Sequence, residues 1–193
     1  MSNNNPITPG AAGYRLYMVR DHLRDILEYP LPEGYQMYGM RQDDIGLWVD
    51  VQKDAEPYIK TIDHQVYYST FGGDLQSIGS RCFLLQDDRG CAIGTAGAWY
   101  RTDEKGLEYG QVHWVAIRKA HQGKGLGNVI MTQILTALAP NYERAFLETQ
   151  SKRINALRLY LKFGFRPQIV DEEGQIGWDE VAQKIDLSTG AAR

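Results

Sequence analysis

The sequence predicts an α/β fold, and two alternations of strand with helix in its second half carry that prediction. The first begins with a strand at 112–117, dense in β-branched and aromatic residues, and passes through a glycine-rich turn into apolar residues at helical spacing before Pro140. The second is a strand at 145–150 followed by an amphipathic helix that ends near Gly164. Upstream, two apolar runs flank the turn Asp87-Asp88-Arg89-Gly90 and predict a β-hairpin.

The glycine-rich turn is Gln122-Gly123-Lys124-Gly125-Leu126-Gly127. Glycines let a backbone approach an anion closely, and the first N–H groups of the following helix point toward that anion. The turn therefore predicts a site for a phosphate-bearing ligand. It is not a Walker loop, because no Ser or Thr follows Lys124, and its G-x-G-x-G spacing is not that of a dinucleotide fingerprint.

Two motifs resemble those of the GNAT superfamily of acyl-CoA-dependent N-acetyltransferases. Gln122, Gly125 and Gly127 match the pyrophosphate loop Q-x-x-G-x-G of that family. Further along, the segment 155–165 is similar to the family's second signature, a helix of the form N-x-x-A/L-x-x-Y-x-K-x-G-F. The two motifs occur in the family's order, so the chain is identified as a member by resemblance.

The resemblance implies the GNAT fold, with a central, mixed and mostly antiparallel twisted sheet of six or seven strands. That sheet is expected to splay between its fourth and fifth strands and to be flanked by about four helices. The chain is then divided into an N-terminal tail and extension, 1–33, and a single acetyltransferase domain, 34–193.

The resemblance also implies acetyl-CoA as co-substrate, and no metal. The residues it assigns to the cofactor are Val115, Ala116, Ile117, Gln122, Gly123, Lys124, Gly125, Leu126, Gly127, Asn155, Tyr160 and Lys162. In the family, the backbone of the strand and the asparagine bind the pantetheine arm, and the expected donor to the thioester oxyanion here is the N–H of Val115.

Acetyl transfer to an amine requires a group that removes a proton from nitrogen and a group that stabilises the departing thiolate. Tyr160 is the expected acid, since a phenol holds its proton up to a pKa of about 10. Gln111 stands where many family members carry a glutamate base, and a neutral amide cannot accept a proton. His113, two residues on, lies on the same strand face, where the arylalkylamine branch of the family carries a histidine.

Other routes for the proton stay open at this point. His113 can equally be a half-buried structural residue. Glu108, which precedes the same strand, and Glu148, on the splayed partner strand, are possible bases, and some family members use ordered water. The predicted function is transfer of an acetyl group from acetyl-CoA to a primary amine of a small-molecule acceptor, by direct attack in a ternary complex. The alternatives are a non-catalytic CoA-binding regulatory module and an enzyme that acts on a protein or peptide amine.

The composition of the chain limits which classes of partner are expected. A chain of 193 residues that is 43% hydrophobic can bury one substantial core, and a net charge of −3 gives no general affinity for nucleic acid. No apolar run is long enough for a membrane span, and the amino terminus lacks the pattern of a signal peptide. We expect a cytoplasmic monomer or homodimer. The hairpin register puts Cys82 opposite Gly97, which separates it from Cys91 by about 20 Å and excludes a disulfide.

The remaining segments give weaker predictions. The chain through about Gly13 is expected to be disordered, and 14–29 has a weak helical pattern. A strand at 35–40 precedes helices at 43–55 and 63–71. A helix around Trp178 is expected in place of the family's final strand. The aromatic and histidine side chains between the first two strands are expected to be core more than acceptor pocket: Tyr58, His64, Tyr67, Tyr68 and Phe71.

Overall fold

The computed structural model describes residues 8–103 and 105–187. Its seven strands are β1 Arg15–Arg20, β2 Gln36–Gly39, β3 Cys82–Gln86, β4 Ala92–Thr102, β5 Glu108–Ile117, β6 Ala145–Gln150 and β7 Arg166–Gln168. Its α-helices are α1 Ile45–Ala55, α2 His64–Phe71, α3 Ile78–Arg81, α4 Leu126–Leu138, α5 Ile154–Lys162 and α6 Glu172–Ala182. The α/β class is confirmed, but the described residues form six α-helices where about four were expected.

The described chain divides into two compact units. The larger is Asp21–Ala145, and the smaller combines the residues up to Arg20 with those from Phe146 onward. The proposed boundary between an extension and a single domain remains a prediction.

In the larger unit, β2, β3, β4 and β5 are neighbours in that order and every pair is antiparallel. Cys82 of β3 lies opposite Gly97 of β4, which confirms the predicted hairpin register. Both cysteines are free. Cys82 is buried and Cys91 is exposed.

The core of the larger unit is aromatic, and Trp48 of α1 lies at its centre. Its ring makes edge-to-face contacts with Tyr67, Phe71 and Trp114 at centroid distances of 5.1, 6.0 and 5.1 Å. Such pairs stabilise beyond the area they bury. The two predicted helices of this region are confirmed, and Asp63 caps the second by accepting a hydrogen bond from the N–H of Val66 at 3.0 Å.

The smaller unit corrects the prediction for 14–29. In place of a helix, this segment contains strand β1, which lies between β6 and β7 and pairs antiparallel with β7. Leu16, Met18 and Arg20 are buried at alternate positions, and the Arg20 guanidinium donates to the carbonyl of Phe163 at 2.7 Å. Strand pairing and this period of two override a weak helical pattern.

The terminal helix is confirmed as α6. Asp171 caps it by accepting from the N–H of Gly174 at 2.7 Å. The strand that pairs with β7 therefore comes from the N-terminal segment, not from residues after β7.

Of the tail predicted to be disordered, residues 1–7 lie outside the described residues. For residues 8–13 the prediction is wrong, because their backbone is bonded to the smaller unit. The carbonyl of Ala12 accepts a hydrogen bond from the N–H of Lys152 at 3.2 Å. Tyr14, just before β1, donates its N–H to the Ser151 hydroxyl at 3.1 Å. Within 8–103 and 105–187, no helix is long and apolar enough to cross a bilayer.

Close approach of α6 to β1 requires a glycine. A Cβ added to Gly177 would lie 2.7 Å from Leu16 Cδ2 and 2.7 Å from Tyr14 Cβ. We expect Gly177→Ala to destabilise the protein by about 1–3 kcal/mol through overpacking. Gly46→Ala in α1 is the matched control, because a Cβ there meets nothing within 4 Å and should leave stability unchanged or raise it by up to about 1 kcal/mol. Urea unfolding measures both, and equal stabilities for the two variants would contradict this packing.

Candidate functional site

Strand β5 carries a bulge in its second half. Thr95 of β4 lies opposite Ala116, and Gly97 lies opposite His113, so Trp114 and Val115 together face a single residue of β4. Trp114 has φ of +46°, in the left-handed region that bulky residues avoid. A bulge leaves the extra residue out of the ladder and re-aims the backbone, which is why bulges are common beside active sites.

Two buried side chains bind the carbonyl oxygen at this bulge. Gln52 of α1 donates from Nε2 to the Trp114 oxygen at 2.9 Å and to the Thr95 hydroxyl at 2.7 Å. Thr95 in turn donates from its hydroxyl to the same Trp114 oxygen at 2.9 Å. Nothing in the sequence connects Gln52 of the predicted helix to Thr95 or to the strand.

His113 precedes the bulge and lies in an uncharged environment. Its Nδ1 is 3.4 Å from Nε2 of Gln111, and its ring packs edge-on against Phe71 and Trp114 at 5.7 and 6.1 Å. Burial lowers the pKa of His113 to about 4. The imidazole is therefore neutral at physiological pH and has a free lone pair on one nitrogen.

Gly97 allows the two strands to approach at this position. A Cβ added there would lie 2.7 Å from the carbonyl oxygen of His113. Because that neighbour is backbone and cannot rotate away, a side chain at Gly97 would displace the strand that carries His113.

The predicted anion cradle follows β5. Gly123 and Gly125 have φ of +76° and +80°, and a Cβ at Gly123 would meet nothing within 4 Å. Gln122 donates from Nε2 to the carbonyl of Ile117 at 2.9 Å, and Asn128 donates from Nδ2 to the carbonyl of Gly125 at 3.1 Å. These two hydrogen bonds fix both ends of the turn, while the space over Gly123 stays open.

The helix that follows the cradle suits an anion. Helix α4 begins at Leu126 with Gly125 as its N-cap, and its first turn contains no acidic residue. The positive end of its dipole favours a phosphate there, although the N–H of Asn128 already donates to the carbonyl of Gly125 at 3.0 Å. Lys124 is exposed in the turn, whereas Leu126 is buried and fixes the helix start.

The second motif forms helix α5 of the smaller unit, as predicted. Gly164 ends it with φ of +78°, in the left-handed conformation of a helix C-terminus. Asn155 and Lys162 are exposed, while Tyr160 is 8% exposed and packs edge-on against Phe165 at 6.2 Å. Burial raises the pKa of Tyr160 to about 12, so its hydroxyl keeps its proton across the neutral range.

Sequence comparison decides the family. The profile described as Acetyltransferase (GNAT) family matches residues 42–165, which is more than half of the chain. The chain belongs to the GNAT acetyltransferase family. Among curated proteins, no sequence matches this GNAT protein.

Solved structures of GNAT proteins have a similar fold. A GCN5-related N-acetyltransferase from Sphaerobacter thermophilus aligns with a TM-score of 0.60 and 17% identity over 81% of this chain and 50% of that chain. A GNAT acetyltransferase from Colwellia psychrerythraea gives a TM-score of 0.62 and 11% identity over 80% and 53%. This chain therefore spans about half the length of these two proteins.

A third similar structure is Naa50 of Arabidopsis thaliana in complex with the bisubstrate analogue CoA-Ac-MVNAL. It aligns with a TM-score of 0.51 and 17% identity over 72% of this chain and 85% of that chain. At these identities, all three comparisons show the fold alone, and they confirm the predicted GNAT fold.

The other side chains considered for this GNAT site are either exposed or part of the aromatic core. Glu108 and Glu148 are both exposed, Tyr67 and Phe71 are buried in the aromatic core, and Tyr68 is 44% exposed. Within the described parts of the chain, no three His, Cys, Asp or Glu side chains are grouped as a metal site would need.

The lowered pKa of His113 predicts a pH-dependent stability. The folded-state pKa of about 4 lies below the unfolded value of about 6.5, so the unfolded chain binds a proton that the folded one does not. The contribution of the neutral ring is therefore complete above pH 6.5 and is lost as the pH falls toward 4. His113→Gln removes this titration, so the stability difference between wild type and variant should change with pH across that window.

Urea unfolding at several pH values between 4 and 7 measures that difference. His64→Gln, at an exposed position of α2, controls for loss of an imidazole elsewhere. A difference between wild type and His113→Gln that stays constant over the whole range would show that His113 is not desolvated.

Proposed function

We propose that this chain transfers an acetyl group from acetyl-CoA to a primary amine of a small-molecule acceptor, by direct attack in a ternary complex. The observation that carries the proposal is the open cradle over Gly123 and Gly125, held at the end of a strand whose backbone is bulged at Trp114 and Val115. An anion cradle joined to a re-aimed strand backbone suits a ligand with a pyrophosphate at one end and a reactive carbonyl at the other.

The residues of the cradle fit CoA. The N–H groups of Gly123, Gly125 and the first turn of α4 would hold the pyrophosphate, because the space over Gly123 is open and the first turn of α4 contains no acidic residue. The backbone of Ala116 and Ile117, with Asn155, is proposed to bind the pantetheine arm. Lys124 and Lys162 are exposed cations and are proposed to bind the phosphate groups of CoA.

When bound, acetyl-CoA supplies an activated acetyl thioester. The N–H of Val115 is proposed to donate to the thioester oxygen as negative charge develops on it. Tyr160 is proposed to donate to the departing sulfur. With a pKa of about 12, its phenol is a hydrogen-bond donor that stabilises a thiolate rather than an acid that readily surrenders its proton, since an ordinary thiol has a pKa of about 8.5.

His113 is proposed to accept the proton from the attacking nitrogen at a late stage. A neutral imidazole with a pKa of about 4 cannot easily deprotonate an alkylammonium whose pKa is about 10. The nitrogen becomes far more acidic once it has bonded to the carbonyl carbon, and His113 can then accept. Gln111 is the polar neighbour of this imidazole, with its amide Nε2 3.4 Å from Nδ1 of His113, and it brings no charge that would alter the base.

The surroundings of His113 also favour a small acceptor. Its ring contacts are Gln111, Phe71 and Trp114, and none of them is charged. An enzyme that binds a basic peptide commonly lines its groove with carboxylates. Two observations favour other functions. Gln111 stands in place of the family's usual base, which favours a CoA-binding module without catalysis. The similar Naa50 structure carries the bisubstrate analogue CoA-Ac-MVNAL, which favours a peptide acceptor.

We further propose a cytoplasmic location and a monomeric or homodimeric state. The free thiols of Cys82 and Cys91 fit a reducing compartment.

Thiol release from acetyl-CoA with a mixed acceptor panel tests the proposed function. The panel contains alkylamines, arylalkylamines, amino acids, amine-bearing antibiotics and peptides. Turnover with a small amine supports the proposal, and turnover with peptides alone favours a peptide acetyltransferase. Tight CoA binding without turnover on any acceptor favours the regulatory module.

Gly125→Asp should abolish CoA binding, because it places a negative charge in the cradle. Gly125→Asn is the matched control, since asparagine has the same shape and tolerates the left-handed conformation that Gly125 requires. Calorimetry should show a far larger loss of CoA affinity for the Asp variant than for the Asn variant. Equal affinities for the two variants would contradict the placement of the pyrophosphate.

Tyr160→Phe should lower kcat by about 10²–10³ with CoA affinity little changed, as expected for loss of one donor to a developing charge. Tyr142→Phe removes a hydroxyl from an equally buried tyrosine, 8% exposed, and should leave kcat unchanged. A Tyr160→Phe enzyme with wild-type kcat would return Tyr160 to a purely structural role.

A further inference from the structure

The bulge in β5 needs support from outside the strand ladder. Trp114 is held at φ of +46°, where a non-glycine residue is strained and persists only when its surroundings enforce that conformation. Strand β4 offers one residue against two of β5, so the ladder cannot supply the extra bonds.

Gln52 and Thr95 supply that support. Their two donors reach the Trp114 oxygen at 2.9 Å each, which fills both lone pairs of the carbonyl. Gln52 and Thr95 are 3% and 1% exposed, so water does not compete for these bonds. We call Gln52, Thr95 and the Trp114 carbonyl the bulge clamp.

Helix α1 holds Trp114 at two points. Gln52 bonds the carbonyl, and Trp48, one turn earlier on the same helix face, contacts the indole at a centroid distance of 5.1 Å. The ring contact limits rotation of the side chain, and the hydrogen bonds limit rotation of the peptide.

The geometry of the peptide bond connects the clamp to the proposed chemistry. The carbonyl of Trp114 and the N–H of Val115 belong to one planar trans peptide, so they point in opposite directions. Bonds that fix the oxygen toward Gln52 and Thr95 therefore fix the Val115 N–H away from them. A donor that is aimed in advance costs no reorganisation as charge develops in the transition state.

We propose that Gln52 and Thr95 are positioning residues that aim the Val115 N–H at the thioester oxygen. This inference rests on the proposed acetyl-CoA-dependent function. It assigns to two buried polar side chains, on elements outside both signature motifs, a role in catalysis through a backbone group that no side-chain substitution can remove.

The variants separate aiming from folding. Thr95→Val keeps the shape and removes the hydroxyl, Thr95→Ser keeps the hydroxyl, and Gln52→Met removes the amide at similar length. Ile78→Val, in the hydrophobic core cluster that contains Trp48 but outside the clamp, is the stability control. If Thr95→Val or Gln52→Met does not fold, Gln52→Asn takes its place, because it keeps an amide that is one methylene too short to reach.

The first readout does not depend on turnover. The amide resonance of Val115 is followed in ¹⁵N-labelled protein saturated with CoA and then with acetyl-CoA. In wild type, Thr95→Ser and Ile78→Val, acetyl-CoA should shift this resonance beyond the effect of CoA. Thr95→Val, Gln52→Met or Gln52→Asn should lose that acetyl-dependent shift while still binding CoA within about twofold of wild type.

The second readout is kinetic. The clamp variants should lose about 10–100-fold in kcat, because a donor misplaced by an ångström or less weakens transition-state stabilisation. Their KM for acetyl-CoA should change little, and Thr95→Ser should recover most of the rate. Ile78→Val should keep the wild-type kcat.

The outcomes keep the two proposals distinct. No turnover by wild type with an intact acetyl-dependent shift at Val115 would contradict the catalytic function and leave the clamp supported. Wild-type turnover with no acetyl-dependent shift, or clamp variants that lose CoA affinity in proportion to kcat, would overturn the clamp as a positioning device.

Discussion

The peptide between Trp114 and Val115 is the constraint on which the proposed site depends. Its carbonyl is held by Gln52 and Thr95. The strained φ of +46° at Trp114 persists only because those buried bonds and the Trp48 contact enforce it. Removing either donor would leave the Trp114 carbonyl with one hydrogen bond in place of two, and so would loosen the hold on this peptide. The aromatic core of the larger unit therefore supports both the stability of the fold and the direction of a backbone N–H.

Much of this arrangement is predictable from local sequence, because the features concerned are local. The glycines of the cradle adopt left-handed backbone, which other residues avoid, so Gly123 and Gly125 mark the turn by their residue type alone. The turn Asp87–Gly90 marks the β3–β4 hairpin, in which Cys82 lies opposite Gly97 after a register shift between Leu85 and Gln86. Helical spacing puts Trp48 and Gln52 on one buried face of α1, although it gives no reason for a glutamine there.

Other features depend on contacts between distant segments and leave little trace in the sequence. Strand β1 forms because β7 pairs with it, and its alternation of Leu16, Met18 and Arg20 includes a cation whose buried bond to the Phe163 carbonyl has no local signature. The bulge in β5 has no glycine to mark it, and Thr95 resembles any strand threonine. Tyr160, by contrast, is identified by motif resemblance, and its burial adds only that the hydroxyl keeps its proton.

A crystal structure of the acetyl-CoA complex tests the central claim most directly, through the distance from the Val115 nitrogen to the thioester oxygen. A hydrogen bond of about 2.7–3.1 Å is predicted, with the Trp114 oxygen still bonded to Gln52 and Thr95 and the pyrophosphate over Gly123 and Gly125. An acetyl oxygen bonded to another donor, or a cofactor bound away from the cradle, would contradict it.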